Sequence, residues 1–350
     1  MKKVWIFAVA LVVATFCGCS AWMNGYYASV TPHKEQNFLP EQELMNPRNY
    51  KDVVEILEDM VKSGQKKQRI SIEKIEEDWQ EYMLDATGYV CDVLPVGVYA
   101  VSKIDYSLDT SGEKDILSVD ISYRRSIADI DAVRTARTDE QIEEILYDSL
   151  LGFNVSVAIS ISDYEDVDFE KIIRNYAELY PQYVIEIPRV STIMYPADGK
   201  DRIVELLFNY ETGRTQLLQM KEQIRPIFEA SEVVGGEGPE LGQFTRLYSF
   251  LMNYHEYTIA PSITPAYSLL HNGVGDSRAF ASVYAAMCRQ AGLECSMITG
   301  IRDGKVWYWN VLQIEGETYY VDLLRCQESG DFVCKTASEM TGYVWDNSGY

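Results

Sequence analysis

Between residues 50 and 230 the chain matches itself at a nearly constant offset, and this constrains its folding more than any other feature. Val101-Ser-Lys-Ile-Asp-Tyr106 returns as Val190-Ser-Thr-Ile-Met-Tyr195, Ile70-Ser-Ile72 as Ile159-Ser-Ile161, and Ile56-Leu57 as Ile145-Leu146, each 89 residues on. Ile116-Leu-Ser-Val-Asp-Ile-Ser-Tyr123 parallels Ile203-Val-Glu-Leu-Leu-Phe-Asn-Tyr210 at 87, which predicts a shorter hairpin in the second copy. Matches that keep their order predict a duplication. Each copy reads helix, helix, strand, turn, strand, helix. Residues 73–84 and 168–179 are amphipathic at helical spacing, and that spacing resumes at 129–136 and 215–227. Thr110-Ser-Gly-Glu-Lys and Ala197-Asp-Gly-Lys are turn clusters between alternating strands. A hairpin alone is marginal in water, so each must pack on its helices. Two α+β helix-hairpin-helix modules are expected, at 51–138 and 139–230.

Composition narrows the partners. Over 350 residues, 53 acidic side chains oppose 31 basic ones for a formal net charge of −22, which excludes nucleic acid and an anionic membrane surface as attractive partners. With 47% hydrophobic residues the chain is not disordered throughout. The three histidines, His33, His255 and His271, show no metal-ligand spacing, so neither a metal nor another cofactor is expected.

The first residues address the chain for export. Lys2-Lys3 precede an uncharged apolar run of 13 residues at 4–16, too short to span a bilayer and right for a signal sequence. Phe16-Cys17-Gly18-Cys19-Ser20 then resembles a bacterial lipobox, with Phe16 where that pattern usually has Leu. The resemblance implies a signal peptide at 1–18, lipidation of Cys19, and a place on the outer face of the cell membrane. Residues 19–50, with Pro32, Pro40 and Pro47 among polar residues, read as a tether. Five cysteines remain beyond the lipobox, an odd number. Cys326 and Cys334 are close enough in sequence to staple a loop, and free buried thiols fit equally well.

Val233-Val-Gly-Gly-Glu-Gly-Pro-Glu reads as a linker at 231–240. Beyond it, residues 240–257 place Phe244, Leu247, Tyr248, Leu251 and Tyr254 on one helical face. Asp276 and Ser277 are N-cap candidates for a helix that Gly292 stops. Residues 295–301, 306–314 and 318–323 read as strands joined by Asp303-Gly304 and Glu315-Gly316 turns. This order of elements, with Gly273-Val274-Gly275, Trp307-Tyr308-Trp309-Asn310 and Tyr319-Tyr320-Val321-Asp322, resembles the bacterial transglutaminase-like domain, a papain-like cysteine protease fold. The family's helix opens with Gly-Val-Cys, its strand carries His-Ala-Trp-Asn, and the next strand ends in Tyr-x-Val-Asp. The resemblance implies an α+β domain at 241–350.

It also implies a degenerate site. A cysteine at a helix N-terminus loses its proton readily, a facing histidine completes the ion pair, and an aspartate orients the ring. Aligned on the family, Gly275 stands for the cysteine and Trp307 for the histidine, while Asp322 remains. Glycine has no nucleophilic atom and an indole has no acceptor, so the domain reads as a pseudoenzyme. It would bind or scaffold a cell-envelope protein or a peptidoglycan peptide, with Trp307, Trp309 and Asp276 as candidate contacts. Trp307 either floors an aromatic cleft or plugs a dead one, Trp309 and Asn310 also suit packing within the fold, and Asp276 suits an N-cap better than a ligand contact. The rival reading is an active thiol protease or transpeptidase using Cys288 or Cys295.

Overall fold

A computed structural model describes residues 43–346 apart from 76–77, 111–114 and 254–255. The expected signal peptide, Cys19, most of the tether, His33, Tyr254, His255 and the first turn cluster lie outside the described residues. From Met45 onward the chain forms one compact unit.

The first module runs α1 (Tyr50–Ser63), β1 (Lys67–Ser71), α2 (Trp79–Asp92), α3 (Pro95–Ala100), β2 (Val101–Asp109), β3 (Ile116–Tyr123) and α4 (Ile127–Asp131). The second runs β4 (Arg134–Ala136), α5 (Asp139–Leu151), β5 (Ser156–Ile161), α6 (Phe169–Leu179), β6 (Arg189–Tyr195) and β7 (Arg202–Asn209). Local chemistry sets several bounds. Asn49 and Thr138 accept hydrogen bonds from first-turn amides as N-caps, and Gly64 ends α1 in the left-handed region. Asp78 caps α2, so that helix starts at Trp79 rather than at 73 as the spacing predicted. Residues 129–136 are not one helix. After the capping box of Ser126 and Asp129, α4 stops at Asp131, and β4 pairs in parallel with β5.

The strand order β1-β3-β2 recurs as β5-β7-β6, with β4 added outside β5. Ile70 pairs with Leu117 and Ile159 with Val204, so the 89- and 87-residue offsets hold across these strands. The hairpins differ. Ile104 pairs with Ile121, but its counterpart Ile193 pairs with Glu205 instead of Phe208, a slip of three residues. An odd slip turns a strand's side chains to the other face. Tyr106 leans on the first module's own core, whereas Tyr195 points out of the second module and packs on the core of the first, beside Ile203.

That slip builds a polar clamp between the modules. Arg125 donates to Glu205 at 2.5 Å and to the Tyr195 hydroxyl at 3.2 Å, and Tyr195 donates to Glu205 at 3.1 Å. The guanidinium also lies 4.7 Å from the ring centre of Tyr99, which meets Tyr195 edge-on. Glu205 is buried and Arg125 largely so.

The C-terminal part contains α7 (Arg214–Gly235), α8 (Glu240–Met252), β8 (Thr258–Ile259), α9 (Pro265–Asn272), β9 (Val274–Gly275), α10 (Ser277–Gln290), β10 (Cys295–Arg302), β11 (Lys305–Ile314), β12 (Glu317–Val321), α11 (Leu323–Ser329) and β13 (Tyr343–Val344). Its main sheet has the order β12-β11-β10-β13. The expected linker is helical through Gly235, because Val233-Val-Gly is the last turn of α7. Gly235 permits a close approach there: a Cβ would sit 2.5 Å from Cβ of Ala291. Arg246 then donates to the carbonyls of Val234, Gly235 and Glu237, meeting the helix end. The two-residue turns form as expected, with positive φ at Asp303, Gly304, Glu315 and Gly316.

Arg125→Met strands the buried Glu205 carboxylate and is expected to cost about 3 kcal/mol, the low end for a broken buried pair because the partner keeps some solvent contact. Pairing it with Glu205→Leu restores most of that loss. Urea midpoints of the two variants measure the difference.

Candidate functional site

α10 is the centre of the C-terminal core. Every residue from Ala279 to Cys288 is buried, between α7, α8 and α9 on one side and β10 and β11 on the other. Asp276 precedes it as N-cap and accepts from the Ala279 amide at 3.0 Å, the structural one of its two expected roles. Tyr284 donates to the Phe244 carbonyl at 2.8 Å, and Asn310 of β11 donates to the Ala281 carbonyl at 2.8 Å.

Gly275 does not stand at the helix N-terminus. It lies in β9, paired with Ile259, two residues before the first helical position. A Cβ on it would meet Leu269 at 2.9 Å and Ala279 at 3.2 Å, so its surroundings leave no room for a cysteine side chain without moving Leu269. The residue that occupies the dipole-favoured first position is Ser277, 7% exposed. The side chain at the helix start is thus the Ser277 hydroxyl, with Gly275 lying upstream of it in β9. The signal was present in the sequence, since an aspartate N-cap at 276 makes the next residue the first of the helix.

Trp307 and Asp322 come together from β11 and the start of α11. The indole Nε1 donates to Asp322 Oδ2 at 2.9 Å. The same oxygen accepts from Arg302 Nη1 at 2.8 Å and from the Tyr343 hydroxyl at 2.7 Å. The other oxygen caps α11 by accepting from the Arg325 amide at 3.2 Å. Arg302 lies over the Trp307 ring at 4.8 Å and near Tyr343 at 5.8 Å, so the guanidinium sits beside two aromatic faces. Burial and the adjoining carboxylate push the Tyr343 hydroxyl far above its usual range, which keeps it a donor. Asp322 is buried. A buried unpaired carboxylate costs several kcal/mol, and these donors are what make its burial tolerable. Arg302 and Tyr343 carried no motif, because they reach Asp322 only through the sheet: Arg302 pairs with Tyr343 across β10 and β13.

Trp309 leaves the candidate contact set. It is fully buried and packs edge-on against Tyr343 and Trp345, because β11 alternation sends it into the core of the sheet's outer face. Trp307 stays half-buried at the edge of that cluster. Beside the hub a small cavity of about 160 Å³ is lined by Asp322, Arg325, Ser329, Lys335 and Tyr343.

Cys288 and Cys295 lie in the core, whereas His271, the one histidine among the described residues, is exposed. Cys288 is fully buried, and burial pushes its thiol well above the ordinary range. His271 is exposed at the end of α9 and stacks on Tyr267 at 4.8 Å. Cys326 and Cys334 are free thiols, both raised by burial, Cys334 to about 12. Among the described residues no three His, Cys, Asp or Glu side chains gather as metal ligands, and no helix is long and apolar enough to cross a membrane.

Residues 229–336 match the model of the transglutaminase-like superfamily, starting within α7. Solved structures are similar at low identity. A candidate protease from Parabacteroides distasonis is 12% identical over 47% of this chain and 39% of that one, with a TM-score of 0.25. A candidate cysteine protease from Cytophaga hutchinsonii is 14% identical over 45% and 70%, at 0.27. A TGase is 11% identical over 63% and 62%, also at 0.27. This chain therefore spans 39% of the Parabacteroides protein's length. No curated protein matches the chain. Residues 229–336 form a domain of the transglutaminase-like superfamily.

Proposed function

We propose that this is an exported, lipid-anchored surface protein whose transglutaminase-like domain is catalytically inactive and works as a binding or scaffolding module for a protein or a cell-wall peptide. The observation that carries this reading is the engagement of Asp322. In a working triad the aspartate orients an imidazole that takes the nucleophile's proton. Here its outward oxygen accepts from an indole, a guanidinium and a phenol, none of which is a base at neutral pH. Ser277 retains a hydroxyl at the favoured helix end, but a serine needs such a base to attack a carbonyl. The half-buried Trp307 ring, stiffened by Arg302, supports binding of a peptide or sugar ring at the same place.

The competing reading, a thiol enzyme built on Cys288 or Cys295, conflicts with their burial in the core at the far end of α10 from Ser277. A thiol held protonated and out of solvent is a poor nucleophile.

Three measurements test the proposal. Amide hydrolysis and transamidation by the purified protein are expected to equal those of Ser277→Ala. Turnover that disappears in Ser277→Ala, or rapid iodoacetamide labelling of a single cysteine at neutral pH, overturns the inactive reading. Trp307→Ala is expected to weaken binding to soluble peptidoglycan fragments about tenfold or more, the size of an interface hot spot, with an unchanged circular dichroism spectrum. Equal binding by the two proteins removes Trp307 from the site. In a bacterial host fed labelled palmitate, the wild type is expected to incorporate label and Cys19→Ala to lose it. An unlabelled wild type refutes the anchor.

A further inference from the structure

The small cavity beside the Asp322 hub, about 160 Å³, has a polar wall whose groups are unequally engaged. Asp322 commits one oxygen to Arg302, Trp307 and the Tyr343 hydroxyl, and the other to the Arg325 amide. The Ser329 hydroxyl donates to the Cys326 carbonyl at 3.1 Å, and the Cys326 thiol to the Val333 carbonyl at 3.7 Å. The two cations in the wall are different. The Arg325 guanidinium uses only Nη1, toward Glu328 at 3.1 Å, and among the described residues the Lys335 ammonium makes neither an ion pair nor a hydrogen bond. Lys335 is half-buried and fixed in place, because its backbone exchanges hydrogen bonds with Tyr320 at 2.8 and 2.9 Å. Carboxylates of the same loops are held elsewhere. Glu328 also meets Arg302 at 3.7 Å, and Glu339 accepts from the Thr336 amide and hydroxyl, both at 2.8 Å. What the wall still offers a ligand is cationic donors together with the apolar side chains of Val333 and Met340. A ligand that uses both carries a negative acceptor and a short alkyl group.

Size then limits the ligand. A cavity of about 150 Å³ takes a molecule the size of benzene, about six heavy atoms, and a C-terminal alanine residue has about that many. We propose that this cavity holds the free carboxylate end of a cell-wall peptide, its terminal D-alanine, with the carboxylate between Arg325 and Lys335 and the methyl group against Val333 and Met340. Hydrogen bonds from charged donors to a carboxylate are short and strong, which suits a site that must grip so small a group. Asp322 and Tyr343 belong to the cavity wall and to the hub alike, so the terminal residue sits next to the Trp307 indole, which is left for the preceding part of the peptide. A site that accepts one small end group suits a polymer whose chains share that end, whereas protein tails end in any side chain. The inference rests on the reading of this domain as a binding module and specifies which end of the peptide it holds.

The test is calorimetric titration of the purified protein with diacetyl-Lys-D-Ala-D-Ala, with the same peptide as its C-terminal amide, and with the L-alanine epimer. The free acid is expected to bind about tenfold or more tightly than the amide, which has lost the charge that the two cations recognise. Lys335→Gln and Arg325→Gln are each expected to weaken the acid about tenfold and to leave the amide unchanged, with an unaltered circular dichroism spectrum. Equal binding of acid and amide, wild-type affinity of Lys335→Gln for the acid, or absence of binding by the acid overturns the proposal. Tighter binding of the L-alanine epimer makes the occupant a protein tail and overturns the assignment to the cell wall. If Trp307→Ala weakens binding of peptidoglycan fragments while acid and amide bind alike, the binding module stands and this inference falls. If neither fragments nor peptides bind, both fall.

Discussion

A helix with no exposed face must be satisfied on every side, and α10 sets that condition for the C-terminal domain. Its Ala279, Ala281, Ser282, Ala285 and Ala286 let neighbours come close, while Phe280, Val283, Tyr284 and Met287 fill the space between the helices and the sheet. Each fully buried large side chain contributes roughly 1.5–3 kcal/mol. The polar groups follow the same constraint. Asp276 meets a first-turn amide, Tyr284 reaches a carbonyl of α8, and Asn310 reaches back from β11 to the helix. Helix and sheet are thereby held in one relation, and Ser277 is held at the helix start.

At one end of the same sheet the governing condition is a buried charge. Asp322 is out of solvent, and Arg302, Trp307 and Tyr343 each spend a donor on it. An aspartate in a catalytic triad needs one partner, an imidazole that must also cycle its proton. Here three donors hold the carboxylate, and none of them is a base at neutral pH. Stability and chemistry pull in opposite directions at this residue: each donor that helps to compensate the carboxylate also removes the freedom a general base would need. The second module adds its own contacts to the domain, through Arg278 on Glu178 at 2.7 Å and Ser282 on the Glu178 carbonyl at 3.1 Å.

Much of this was legible in residue order. Asp168 and Asp276 announced helix starts, Asp303-Gly304 and Glu315-Gly316 announced tight hairpins, and the spacing across 295–323 announced the sheet. The places that misled have physical causes. Val233-Val-Gly-Gly looks like a linker because glycine is a poor helix former, but Gly235 is selected by a helix contact that has no room for a methyl group. Residues 129–136 have helical spacing, yet the helix ends at Asp131 and β4 pairs in parallel with β5. Asp276 and Ser277 both suit an N-cap, and the structure gives that role to Asp276, which leaves Gly275 in β9 and Ser277 first in the helix.

Residue order alone determined most of the element types, the recurrence of one strand order in the two modules, the family of the C-terminal domain and the absence of an imidazole at Trp307, because each depends on side-chain identity and short-range spacing. Only the tertiary structure decided that Tyr195 would clamp the modules, that Trp309 would be core, and that Arg302 and Tyr343 would occupy Asp322. These outcomes turn on strand register and on which strands become neighbours. A three-residue slip or an added edge strand changes both without changing any local pattern.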